Sequence, residues 1–182
     1  MPSKILCVAE KPAIARAVAD HLSGGRFNTR NGGGTYCKNF EFDFDFGRQC
    51  GHCHVTVTSV IGHITTTDFP PHCRSWEQTP LLSLFDERIV ESIAEVRRFI
   101  ALQYNTNICK DKKSIADNIT KEARHAQALF IWTDCDLEGE FIGAEVRQCA
   151  FKSNPRMEVK RARFSNTERA LVDLRLNCVY NY

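Results

Sequence analysis

Ala128-Leu129-Phe130-Ile131-Trp132 runs without a polar residue into Thr133-Asp134-Cys135-Asp136-Leu137-Glu138-Gly139-Glu140. Five consecutive apolar residues read as a strand covered on both faces, as strands of a parallel sheet are. Phe141, Ile142, Val146 and Cys149 then follow at helical spacing. The segment is a buried strand, an acidic turn and a helix.

The same order opens the chain. Ile5 to Ala9 is a second apolar run, and Pro12 suits the first turn of a helix. Ile14, Val18 and Leu22 form its apolar stripe beside Ala15, and Gly24-Gly25 stops it. Ile115, Ile119, Ala123 and Ala126 predict a helix over 114–126, and Val159 to Phe164 a further strand. Ser165-Asn166-Thr167-Glu168 has capping-box spacing before Leu171, Leu174 and Leu176, which predicts a last helix. Strands alternating with helices give an α/β class with a mainly parallel sheet covered on both faces. Between the first helix and the middle of the chain, Asn31-Gly32-Gly33-Gly34 marks a turn. Phe40, Phe42, Phe44 and Phe46 alternate with Glu41, Asp43 and Asp45, the period of a strand with one aromatic face. With Val55, Val57 and Val60 this reads as a β-ribbon insertion ending near Gly62-His63. Residues 68–90, with Pro70-Pro71, Trp76 and Pro80, read as an irregular crossing segment.

At 182 residues the chain predicts one domain, or one domain plus an appendage. Lys+Arg 24 against Asp+Glu 22 leaves +2, which excludes a polybasic binder but allows a local basic groove. No apolar run approaches the roughly 18 residues of a spanning helix, and Ile5–Ala9 is too short for a signal-peptide core. No membrane is expected, and an intracellular setting is. The nine cysteines, an odd number, then read as reduced thiols rather than a disulfide framework.

Ligands of parallel sheets bind where the strands end at their carboxyl termini. Asp134, Asp136 and Glu138 stand there, and in an extended segment their spacing points all three to one side. Such carboxylates repel one another unless a cation joins them. An all-oxygen set suits Mg²⁺, which keeps waters and completes its shell with phosphate. The plainer alternative is an acidic turn capping the next helix. Glu10-Lys11 follows the first strand and opens on the same rim. A carboxylate there suits proton transfer to a leaving oxygen, and a lysine suits holding phosphate. The plainer alternative is a surface pair.

Ala9-Glu10-Lys11-Pro12 with Ile14-Ala15-Arg16-Ala17, Thr58-Ser59-Val60-Ile61-Gly62-His63, and Trp132-Thr133-Asp134-Cys135-Asp136 with Glu138-Gly139-Glu140 together resemble the Toprim domain of type IA DNA topoisomerases, in the topoisomerase III form. Arg161-Ala162-Arg163-Phe164-Ser165 also fits. The likeness covers residues 5–92 and 112–167. It implies a Rossmann-like Toprim fold over 1–167, with 93–111 as an atypical insertion and 168–182 as the start of a following helical segment. It also implies Glu10 as the proton-transfer glutamate and Lys11 as a lysine near the scissile phosphate. Asp134, Asp136 and Glu138 would form the Mg²⁺ site. Lys11, His63, Arg161 and Arg163 would be DNA contacts. The family cuts one DNA strand through a tyrosine, passes another strand, and reseals in a Mg²⁺-dependent step. Its topoisomerase III branch works on single-stranded DNA with a RecQ-type helicase and an OB-fold accessory protein, in the nucleus and also the mitochondrion.

This sequence departs from the pattern in three places. Leu137 stands where the family usually has arginine. Residues 93–111 match nothing in it. Tyr36, Tyr104, Tyr180 and Tyr182 all lack the Tyr-Pro-Arg-Thr-like context of the nucleophile. The chain therefore reads as the amino-terminal piece of such an enzyme, unable to cut DNA alone. Two rivals remain: a non-catalytic fragment that binds DNA or a partner, and a Mg²⁺-dependent phosphohydrolase with Asp134 as nucleophile. Leu137-Glu138-Gly139-Glu140 and Glu10-Lys11 argue against the phosphohydrolase.

Other signals have plainer readings. Cys50-Gly51-His52-Cys53-His54 matches a haem-attachment spacing that requires export. With His72-Cys73 it offers zinc ligands, but contains a single C-x-x-C. Lys160, Arg161 and Arg163 on a strand, with Lys121 and Arg124, form either a solvated face or phosphate contacts. The phenylalanine ladder is expected to be buried rather than to stack bases.

Overall fold

The computed structural model of the protein describes residues 3–34, 37–47, 50–68, 73, 79–80, 82, 90–93, 107–162 and 180–181. In chain order the elements are β1 (Ser3–Ala9), α1 (Pro12–Ser23), β2 (Asn28–Asn31), β3 (Lys38–Asp45), β4 (His52–Ser59), β5 (Thr65–Asp68), β6 (Val90–Ile93), α2 (Asn107–Ala123), β7 (Ala128–Trp132), α3 (Leu137–Phe151), β8 (Glu158–Ala162) and β9 (Tyr180–Asn181). Seven strands form one sheet in the order β2-β3-β4-β1-β7-β8-β9. β4, β1, β7 and β8 are mutually parallel, while β2, β3 and β9 join antiparallel to their neighbours. The α/β, Rossmann-like expectation holds. The residues read as a β-ribbon are β2, β3 and β4, paired antiparallel in sequence order and joined to the main sheet through β4, which runs parallel to β1.

Strand alternation divides the core in two. Ile5, Cys7, Ala9, Phe130, Trp132, Val55 and Val57 face α1, with its stripe of Ile14, Val18 and Leu22. Leu6, Val8, Leu129, Ile131 and Val159 face α2 and α3, with Ile115, Ile119, Ile142 and Val146. Each such side chain contributes roughly 1.5–3 kcal/mol by leaving water. Both faces of β1 and β7 are therefore apolar, which is why their sequences show no alternation. Phe40, Phe42 and Phe46 are buried in the α1-side core with Phe44 packed beside them, so the ladder is structural.

Pro12 stands in the first turn of α1, and Gly24 ends the helix at φ 63°, a conformation glycine adopts without penalty. α2 begins earlier than its apolar stripe suggests. β5 and β6 form a separate two-stranded ribbon that the sequence reading missed. Four-residue strands rich in threonine give too short a pattern to separate from loop. The helix expected after Ser165, the insertion core at 94–106 and the segment around Trp76 lie outside the described residues. Tyr180 pairs with Arg161 and Asn181 with Lys160, so these residues are strand where a helical segment was expected. Among the described residues no helix is long and apolar enough to cross a membrane.

The register builds the site. Ala9 is level with Ser59 on one side and Trp132 on the other, and Trp132 is level with Ala162. The loops leaving β1, β4 and β7 therefore emerge together on one carboxyl rim.

Candidate active site at the carboxyl rim

Glu10 is only 6% exposed, and a buried carboxylate must be paired. Its backbone N–H extends the ladder to the Trp132 carbonyl at 3.0 Å. One side-chain oxygen accepts the Asp134 N–H at 3.0 Å. The other lies 3.1 Å from Lys11 Nζ, which also donates to Asp134 Oδ2 at 2.9 Å. Residues 124 positions apart are thus tied into one network. The hydrogen bond to Asp134, then that to Glu10, holds the Lys11 ammonium well above the ordinary lysine range. The Lys11 side chain is 57% exposed, so these pairs contribute little to stability.

The acidic loop does not stay extended. Asp136 is the N-cap of α3, with one oxygen accepting the Gly139 N–H at 2.6 Å. Glu138 already belongs to the first helical turn, where the helix dipole favours it. The expectation that all three carboxylates point to one side is corrected here: α3 starts at Leu137, so the period-two rule ends before Glu138. Among the described residues no three His, Cys, Asp or Glu side chains are gathered to hold a metal. Thr133, fully buried, donates its hydroxyl to the Gly139 carbonyl at 2.7 Å. A Cβ on Gly139 would meet the Asp134 carbonyl oxygen at 2.1 Å, so the loop closes here only over glycine.

Arg161 sits beneath this loop. It is 3% exposed, and Nη1 donates to the carbonyls of Thr133 (2.8 Å) and Ala162 (2.6 Å). Nη2 donates to the Asp134 carbonyl (2.8 Å) and to Glu140 Oε1 (3.2 Å). The sequence suggested an outward phosphate contact; the side chain instead faces in, because it shares the face of β8 that carries Val159 and α3 covers. Lys160, on the other face, lies over the Phe130 ring at 5.7 Å. Arg163 lies outside the described residues.

His63 does reach the acidic loop. Its Nε2 is 3.9 Å from Glu138 Oε1, its Nδ1 is 3.3 Å from Glu145 Oε2, and its ring packs on Phe141. Glu145 is buried and accepts the N–H groups of Ile64 (2.9 Å) and Thr65 (3.0 Å) and the Thr65 hydroxyl. Leu137, by contrast, is 91% exposed. The zinc constellation does not converge: Cys53 is buried with its thiol on the Cys50 carbonyl, while His54 points to Asp43, and His72 lies outside the described residues.

Residues 5–167 match the family described as the Toprim domain. The chain belongs to that family. Over that domain it is similar to proteins named DNA topoisomerase 3. It is 45% identical over 167 residues to "DNA topoisomerase 3" of Schizosaccharomyces pombe, covering 92% of this chain and 24% of that protein. It is 43% identical over 172 residues to "DNA topoisomerase 3" of Saccharomyces cerevisiae, covering 91% and 24%. It is 38% identical over 162 residues to "DNA topoisomerase 3-alpha" of Homo sapiens, covering 89% and 14%. The chain thus spans a quarter or less of the length of these relatives.

Against a divalent cation, the Toprim donor set fits by chemistry: all-carboxylate oxygen on an open rim, with the second oxygen of Asp136 outside the cap. A hard cation that keeps its waters needs only one or two such groups. Sequence reasoning missed Glu145 and Gly139. A glutamate one residue before Val146, on an otherwise apolar helix face, was the available signal for Glu145.

Proposed function

We propose that this chain is the Toprim portion of a type IA topoisomerase that relaxes or decatenates DNA by single-strand cleavage, strand passage and Mg²⁺-dependent resealing. The observation that carries this reading is the hydrogen-bonded Glu10–Asp134 pair, spanned by Lys11, on the shared carboxyl rim. Asp134, Asp136 and Glu138 would hold Mg²⁺, which supplies charge neutralisation at the phosphate. Glu10, buried and adjacent, holds or returns the proton of the leaving oxygen. Lys11 turns its ammonium from Asp134 to a phosphate oxygen, a motion its exposure permits. His63 contacts the strand beside Glu138, and Arg163 beyond β8. The substrate is single-stranded DNA. The RecQ-type helicase and OB-fold partners and the nuclear or mitochondrial setting follow from the same resemblance. The attacking tyrosine comes from outside these 182 residues, so this polypeptide alone forms no tyrosine-linked DNA; such an adduct on a gel would overturn that statement.

The test is a chimera in which this chain replaces the matching quarter of the fission yeast relative. The expected result is Mg²⁺-dependent relaxation of supercoiled plasmid, reduced by at least about 10²-fold by Glu10→Gln. Because Leu137 replaces a usual arginine, the Leu137→Arg chimera is run in parallel and relaxes faster. A folded chimera inert in both forms would favour the non-catalytic fragment.

A further inference from the structure

Arg161 is nearly inaccessible to solvent, yet four of its contacts end on or beside the acidic loop. Two are the carbonyls of Thr133 and Asp134, one is the Ala162 carbonyl, and one is Glu140. A guanidinium is the group whose rigid fork can meet several carbonyls at once; an ammonium cannot. Burying such a charge costs several kcal/mol unless the partners compensate, and an apolar residue would fill the same space more cheaply. The charge must therefore have a use at this position. Its surroundings supply one: Asp134, Asp136, Glu138 and Glu140 crowd a single turn, and Leu137 brings no cation among them.

We propose that Arg161 is the positioning residue of the acidic loop. Its fork fixes the carbonyls on either side of the Asp134 nitrogen, and so fixes the direction in which the Asp134 carboxylate leaves the backbone. Its charge, held beneath the turn, offsets the mutual repulsion of the carboxylates above it. Arg161 thereby sets the divalent-cation affinity of the loop without touching the ion. This inference rests on the metal-binding part of the function proposed above, and it removes Arg161 from the DNA contacts.

The experiment uses the whole 182-residue chain and Mn²⁺ as the probe, read by water-proton relaxation well below the unfolding midpoint. Groups that orient metal ligands typically change metal affinity about 10–100-fold when removed. Arg161→Gln should weaken Mn²⁺ binding by that factor. Arg161→Lys, which keeps the charge and loses the fork, should recover part of it, and decides the matter if the glutamine variant does not fold. Lys160→Gln, on the opposite face of the same strand, should leave the affinity within about twofold, since its ammonium is paired with Glu158 and packed over Phe130, across the sheet from the acidic loop. Lysine and glutamine variants that are less stable but bind Mn²⁺ as the parent does would make Arg161 a purely structural residue and overturn the inference alone. A parent chain that binds no Mn²⁺ at millimolar concentration would overturn the metal reading as well.

Discussion

Replacing Gly139 by alanine separates two opposed effects. By helix propensity alone the change is favourable by about 1 kcal/mol, since Gly139 lies in the first turns of α3. The added Cβ, however, would stand 2.1 Å from the Asp134 carbonyl oxygen and 2.9 Å from its carbon. These are backbone atoms, so no rotamer change relieves the contact. The carbonyl must move by roughly 1 Å, with a packing cost of about 1–3 kcal/mol. That carbonyl is also the acceptor of Arg161 Nη2, a charge-assisted bond of about 1.5–3 kcal/mol. Setting these costs against the propensity gain leaves Gly139→Ala destabilised by about 1.5–5 kcal/mol. Urea unfolding followed by tryptophan fluorescence measures this as a lower midpoint at unchanged slope. A variant as stable as the parent, or stabilised by the helix-propensity increment, would refute the closed-loop geometry on which the Arg161 argument also depends.

Two further outcomes follow from the buried groups. Burial pushes the Cys7 thiol up to about 12, so maleimide at pH 8 should label exposed Cys135 quickly and leave Cys7 unlabelled until the chain unfolds, as peptide mapping would report. Because Cys7 is neutral in the fold and its unfolded thiol ionises near 9, its contribution is complete below that pH and fades between there and about 12. For Glu122, burial alone would raise the carboxyl, but hydrogen bonds from Lys4 and Arg30 outweigh it and hold the group below the usual range. Its stabilisation is therefore present above the ordinary carboxyl value and lost as pH falls through the folded one; Glu122→Gln should flatten that acid limb of the stability curve while lowering stability at pH 7.

The parts of the fold legible in sequence are those where one physical rule dominates. Ile5–Ala9 of β1 and all of β7 are apolar because helices cover both faces of the sheet there. The phenylalanine ladder showed its alternation because its face of β3 packs into the α1-side core while Glu41, Asp43 and Asp45 on the other face are not buried. The rim followed from strand direction alone, and Glu10 and Asp134 meet there as expected. Three things were not legible. The loop after Asp134 obeys the helix that follows it rather than the strand before it, and the switch point depends on Asp136 choosing Gly139 as its cap partner. Arg161 has the sequence signature of a solvated strand residue. Its inward setting depends on which face of β8 meets α3, a relation between elements that neither sequence segment contains. Glu145 looked like an ordinary helix acid because its donors, Ile64 and Thr65, lie 80 or more residues away.

The charges on the rim couple these observations. On the rim the carboxylates of Glu10, Asp134, Asp136, Glu138 and Glu140 lie among Lys11, Arg161 and His63. Arg161 is committed to the loop from below, and Lys11 is committed to Glu10 and Asp134. An arriving phosphate therefore meets an excess of negative charge. At about 8 Å each carboxylate opposes it by roughly 0.5 kcal/mol in water, and by more where the sheet excludes solvent. An arginine at 137 would reduce that excess by one; leucine leaves it in full. Lys11 is thus shared between Glu10 and Asp134, and a cation entering between them would compete with its ammonium. The lysine between the two carboxylates is the counter-charge of the rim.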